Sequence, residues 1–337
     1  MSSASVPSSK NTSLDESSRA PVALFVYNRA DNTRATLRAL LANTLAPETD
    51  LYVFSDGGKD EASWMAVREV RTVLHEVEAE VARTRSLNSM TIVERPINYY
   101  LERNVIEGIN QVFQRHDTII VLEDDIVSSP HFLQFMNDAF RLYRDDQRVM
   151  HVSGFTRIEP HSSFVTHHSS FYFSPFMAGW GWGTWRDCWQ THFRHYQSRA
   201  EALEGLTQAD TSALEYGGVF PCLKHLDRQP IPWDICWGIA IHRAQGLCLY
   251  PTRTLVRNIG LNSGTHYGRL PQWMNRLLMR FEYDRPPYGS PIALTYQSPT
   301  IDPAIEGALK EALTDWGIRY TLLGRFLRSV RTFMKKL

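Results

Sequence analysis

Three adjacent acids, Glu123-Asp124-Asp125, end the apolar run TIIVL. Carboxylates this close repel one another and bind protons more tightly than isolated ones. A hard divalent cation relieves the repulsion, and Mg²⁺ is commonly held by one or two carboxylates together with substrate phosphates. The same three residues also read as a solvated strand-end cluster, or as acids opening a helix and favoured by its dipole. Arg29 follows the apolar run PVALFVYN, where a guanidinium can meet a phosphate. Asp56 follows LYVF, where a carboxylate can accept hydrogen bonds from a base or ribose. Alone, these two read as a surface arginine and a turn-forming aspartate. Three such groups at three strand ends of one sheet are much less readily incidental.

The elements that must position them alternate. PVALFVYN, DLYVFS, MTIVERP and DTIIVLEDD have strand length and apolar content, and helical patterns follow the first three. Leu37, Leu40, Leu41 and Thr44 share one helical face; Val105, Ile109, Val112 and Phe113 share another. This order predicts an α/β fold with a parallel sheet, right-handed crossovers and ligands at the carboxyl ends of the strands. The first strand–helix turn, YNRADN, lacks G-x-G-x-x-G, and no G-x-x-x-x-G-K-[ST] is present, which argues against dinucleotide and P-loop sites. Ser129-Pro130 reads as an N-cap with proline at the first helical position. RVMHVSGF reads as a strand, FYFSPFMAGWGWGTW as a Gly/Trp-rich loop leading into a helix, and IPWDICWGIAIHRAQG as a further helix. In that helix Asp234 has two readings, a general base or a dipole-favoured acid in the first turn.

Charge is balanced, 36 basic against 36 acidic residues, so no whole-molecule footprint for nucleic acid exists. The four cysteines form no C-x-x-C, which gives neither a zinc site nor a disulfide framework and suggests reduced, cytoplasmic thiols. Residues 1–20 contain eight serines and read as a disordered tail without a signal peptide or anchor. No stretch approaches the roughly 18 apolar residues that suggest a membrane span. The segment 284–318 reads as a Pro-rich linker with a short helix. Residues 319–337 carry six basic residues and no acid around an apolar stripe (Leu322, Phe326, Leu327, Val330, Phe333, Met334). That is the profile of an amphipathic helix lying on anionic lipid, with a helix packed on the domain as the other reading.

In order, PVALFVYNR, VFSDGG, IIVLEDDIVSSPHFLQF, SPFMAGWGWGTW and IPWD resemble the N-acetylglucosaminyltransferase I-type enzymes and their bacterial surface-polysaccharide relatives, which have the GT-A fold. The resemblance covers about residues 21–268. It implies one GT-A domain over 21–283, with a nucleotide-sugar half (21–128) and an acceptor half (129–283). It also implies metal-dependent transfer from a UDP-sugar to a glycan or lipid-linked acceptor, with inversion. By resemblance, Asp125 would bind Mn²⁺ or Mg²⁺, and Glu123 and Asp124 would contact donor sugar and ribose. Asp56 would read the base, Arg29 would lie near the diphosphate, Trp182 would wall the sugar pocket, and Asp234 would be the base. His266, in the stretch NSGTH, would touch diphosphate or metal, against the simpler reading of a surface histidine. Two departures stand out. The W-D-D-W of the eukaryotic enzyme is here Trp233-Asp234-Ile235-Cys236-Trp237, and the N-x-G-L turn of many bacterial relatives is Asn98-Tyr99-Tyr100-Leu101. The lack of an N-terminal anchor favours a bacterial-type cytoplasmic enzyme at the inner membrane face. Two alternatives are a non-catalytic glycan or nucleotide-sugar binder and a sugar-nucleotide pyrophosphorylase; YNRADN lacks the Gly-rich loop of the latter.

Overall fold

Strand β1 (Val22–Val26) is five consecutive buried residues, which is what a strand covered on both faces requires. It belongs to a computed structural model that describes residues 19–158, 170–260 and 286–314. The first part alternates as expected: β1, α1 (Ala30–Leu41), β2 (Asp50–Ser55), α2 (Glu61–Thr84), β3 (Ser89–Glu94), α3 (Tyr100–Val112) and β4 (Thr118–Glu123). Helix α2 begins with a capping box in which Asp60 accepts from the Ser63 N–H and the Ser63 hydroxyl accepts from the Asp60 N–H. Its valines and Leu74 recur at helical spacing on the buried face.

The sheet then departs from simple alternation. After the short β5 (Ile126–Ser128) and α4 (Phe132–Leu142) come β6 (Val149–Ser153), β7 (Phe171–Ser174) and β8 (Trp182–Trp185). The second part continues through α5 (Arg186–His192), α6 (Arg199–Leu203), α7 (Gln208–Leu214), α8 (Trp233–Arg243), β9 (Leu247–Pro251) and β10 (Val256–Asn258). Residues 303–314 form α9. Eight strands make one sheet in the order β3-β2-β1-β4-β8-β6-β9-β7. The β3-β2-β1-β4 run and β6-β9 are parallel, and the remaining neighbours are antiparallel. The chain therefore has the expected α/β class, a mostly parallel sheet flanked by helices.

Three sequence expectations need correction. Helix α4 starts at Phe132, because Ser129 and Pro130 form the turn before it, in which the Phe132 N–H reaches the Ser129 carbonyl. FYFSPFMAGWGWGTW is not a plain loop; it supplies β7 and β8, and β8 lies against β4 at the middle of the sheet. Gly183 makes that approach feasible, since a Cβ there would stand 2.4 Å from the Ile119 carbonyl oxygen. Residues 286–314 pack on the sheet rather than running free: Ile292, Ile305, Leu309 and Leu313 are buried in the main core. The Tyr143 hydroxyl donates to the Gln297 carbonyl at 3.1 Å. The basic segment 319–337 lies outside the described residues, as does nearly all of the Ser-rich tail.

Candidate active site at the carboxyl ends of β1, β2 and β4

Parallel register places Phe25 beside both Phe54 and Glu123, so β1, β2 and β4 end together at one crevice. Asp124 and Asp125 form the tight turn between β4 and β5. Strand alternation alone would separate their side chains, but the turn brings both to one guanidinium. Arg29 Nε donates to Asp124 Oδ2 at 3.2 Å, its Nη2 pairs with Asp124 Oδ1, and its Nη1 lies 2.9 Å from Asp125 Oδ2. Helix α1 braces the turn, with the Thr36 hydroxyl donating to the Asp124 carbonyl at 2.9 Å. From the other side the β5–β10 ribbon brings in the chain after Asn258, and the Ile259 N–H donates to the Asp125 carbonyl at 2.8 Å. Gly260 packs directly on this ion pair, and a Cβ there would push the Asp125 carboxylate or the Arg29 guanidinium aside.

Burial governs the electrostatics. It pushes Glu123 up to about 8, helped by Asp125 and Asp124 and opposed by Arg29. Glu123 is hemmed in by protein, yet keeps part of its surface open to the crevice. Asp124 is raised to about 6 by burial, with Arg29 pulling it back. Asp125 is raised by burial against the same pull. Burial also disfavours the Arg29 cation, but its two acidic partners outweigh that and hold it protonated. Asp125 Oδ1 is buried without a hydrogen-bond partner. An orphaned, electron-rich oxygen suits a hard cation. Among the described residues no group of three or more His, Cys, Asp or Glu side chains is arranged to hold a metal. A cation here would accordingly take Asp125 and complete its shell from ligand phosphates and water.

Asp234 opens α8 and is half-buried, with Oδ1 accepting the Ile235 N–H at 2.9 Å. Its charge adds to the raising of Glu123, after burial, Asp125 and Asp124. It is also felt by Glu102, an acid that sequence reasoning missed. Glu102 lies in the first turn of α3, which packs against α8; burial followed by Asp234 raises its pKa, opposed first by a backbone hydrogen bond and then by His195 and Arg228. Only its place three residues after the polar turn at Tyr99 marked it in the sequence.

Asp56 is 5% exposed and engaged by protein groups: Oδ1 accepts the N–H of Gly57 and of Tyr99, and Oδ2 accepts from Asn98 Nδ2. It organises the Asn98–Tyr100 turn beside the crevice. Trp182 requires correction as a sugar-pocket wall. It has no exposed surface, and its ring stacks on His151 and on Trp233, both at 5.2 Å between centroids. It supports the residue preceding Asp234 from behind; the more exposed tryptophan of that loop is Trp180. His266 lies outside the described residues.

Residues 4–194 match the model of the GNT-I family. An α-1,3-mannosyl-glycoprotein 2-β-N-acetylglucosaminyltransferase of Arabidopsis thaliana is 24% identical over 175 residues. That match spans 50% of this chain and 38% of the relative, so the chain corresponds to well under half of it. A Pyrobaculum calidifontis mannosyltransferase, solved with GDP-mannose and Mn²⁺, aligns over 70% of this chain and 76% of its own at 14% identity and a TM-score of 0.37. S. aureus TarS aligns over 52% and 30% at 11% identity and a TM-score of 0.32.

Proposed function

Because the chain belongs to the GNT-I family, we propose that it is a GT-A-type glycosyltransferase that moves a sugar from a UDP-sugar to a hydroxyl of a glycan or lipid-linked acceptor. The observation that carries this reading is a cation-compensated acid turn at the strand ends, Arg29 with Asp124 and Asp125, with a separate carboxylate, Asp234 of α8, within electrostatic reach of Glu123.

In the reaction the bond between the anomeric carbon and the diphosphate breaks, and a bond to the acceptor oxygen forms from the opposite face, with inversion. Asp234 takes the acceptor proton, and the nucleoside diphosphate leaves with the electron pair. Arg29, with 26% of its side chain exposed, is positioned to lend a charged hydrogen bond to a phosphate without leaving its acids. Glu123, the less buried of the two, faces the donor side for a hydrogen bond to a sugar hydroxyl, Asp124 acts there by holding Arg29 in place, and Asp56 shapes the base end through the Asn98 turn. Asp125 would hold Mn²⁺ or Mg²⁺, which when bound offsets charge developing on the leaving diphosphate. His266 remains a proposed diphosphate contact from the resemblance alone. The basic, apolar-striped sequence 319–337 supports work at an anionic membrane surface, with surface polysaccharide as the product and the cytoplasmic face as its place. Among the described residues no helix is long and apolar enough to cross a membrane.

The test is a panel of UDP- and GDP-sugars with Mn²⁺, scored by thermal shift and donor turnover. Wild type should respond to one donor, D125A should lose the metal-dependent shift, and D234N should keep it while transfer falls roughly 10²–10⁴-fold. A wild type that neither shifts nor turns over with any donor refutes the reading.

A further inference from the structure

Tyr100 opens α3 with φ of 60°, a left-handed conformation that a bulky L-residue adopts only under constraint. The constraint is visible. Asn98 Nδ2 donates to the Gly57 carbonyl at 2.6 Å, the Tyr99 N–H donates to Asp56 at 2.7 Å, and the guanidinium groups of Arg103 and Arg95 lie over the Tyr99 ring at 3.8 and 4.8 Å. Yet the Tyr100 side chain gains little packing in return, because the residue is 54% exposed. Strain without compensating burial points to a task for the ring.

Its neighbours indicate the task. The Lys59 ammonium lies over the Tyr100 ring at 4.6 Å and over the Tyr27 ring at 5.9 Å. Tyr27 in turn gives a backbone hydrogen bond to Asp124. A continuous path therefore runs from the Arg29–Asp124–Asp125 turn through Tyr27 and Lys59 to the open face of Tyr100. A nucleoside diphosphate with its phosphates at Arg29 and Asp125 must send its base away from the acids, and this path is lined with aromatic faces and one cation. Asp56 is already committed to holding the turn, so a base has more free surface on Tyr100 than on Asp56.

We propose that Tyr100 is the stacking platform for the nucleobase of a nucleoside diphosphate, a specificity-determining residue whose role rests on the donor-site reading above. Lys59 covers one face of the ring, and the base takes the other.

The test compares wild type, Y100G and Y100F by calorimetric titration with UDP, GDP and inorganic pyrophosphate in the presence of Mn²⁺. Glycine suits a positive φ, so Y100G should fold and melt no lower than wild type. It should bind the preferred nucleotide roughly 5- to 150-fold more weakly, the usual worth of base–aromatic stacking. Pyrophosphate, which has no base, should bind both alike, and Y100F should keep wild-type nucleotide affinity. Equal nucleotide affinity in Y100G, an equal loss for pyrophosphate, or a lower melting temperature of Y100G overturns the assignment while leaving the donor reading intact. Failure of wild type to bind either nucleotide overturns both.

Discussion

Arg29→Ala isolates the electrostatics of the site from its chemistry. The guanidinium faces two carboxylates whose side chains are 4% and 11% exposed, and it is itself mostly covered. Removing it leaves Asp124 and Asp125 in a weakly polarisable setting with no cation, a change that costs about 3–5 kcal/mol when one partner of a buried pair is lost. At about 2.1 cal/mol/K of unfolding entropy per residue, each kcal/mol moves the melting temperature of a 337-residue chain by about 1.4 °C, so a fall of roughly 4–7 °C is expected. Arg34→Ala is the internal comparison. Its pair with Glu76 is exposed on both sides, 45% and 54%, and should contribute about 0–1 kcal/mol. The double variant R29A/D124N should recover part of the loss, since an amide needs no counter-charge. Urea unfolding of the four proteins measures all of this. An R29A midpoint within about 1 kcal/mol of R34A, or no recovery in the double variant, would refute the claim that Arg29 compensates a buried acid pair.

Glu102 and Trp182 give two further measurements. Burial and Asp234 raise the Glu102 pKa, so the folded chain holds this proton more tightly than the unfolded one. Native stability from this group is therefore greatest in acid and is lost as pH rises above the ordinary carboxylate range. E102Q carries no such penalty, so its urea midpoint should match wild type near pH 4 and exceed it near pH 8; the reverse order would show that Glu102 is instead stabilised as a carboxylate. W182A should destabilise by about 3–5 kcal/mol through loss of its stacked, wholly buried ring, read as a lower melting temperature. Unchanged stability with a raised donor KM would instead return Trp182 to the pocket wall.

The first half of the sheet was legible because β1, β2 and β4 are unbroken apolar runs whose burial depends on local composition. Strand β8 was not. WGTW has the composition of a loop, and it becomes a strand only through pairing with β4 and β6, partners about 30 to 65 residues away in the chain. The same divide runs through the site. Strand ends locate Arg29, Asp56 and the three acids, whereas the ion pairs that join Arg29 to both aspartates depend on how a tight turn aims its side chains. Glu102 looks like an ordinary first-turn acid until α3 is laid against α8. Tyr100 reads as an ordinary turn residue, and only the backbone torsion reveals the left-handed conformation that glycine usually takes.

The position of β8 also fixes an order of events during synthesis. Once Glu123 has emerged, β3-β2-β1-β4 can pair in full, but one edge of β4 remains without a neighbour until Trp182–Trp185 follows. At ribosomal speeds that gap of roughly sixty residues lasts about 3–12 s. For that time the nascent chain exposes an apolar strand edge of Ile119–Val121, a ready template for pairing with another chain. The residues that later seal the middle of the finished sheet thus decide how long the newborn protein must be kept apart from its neighbours.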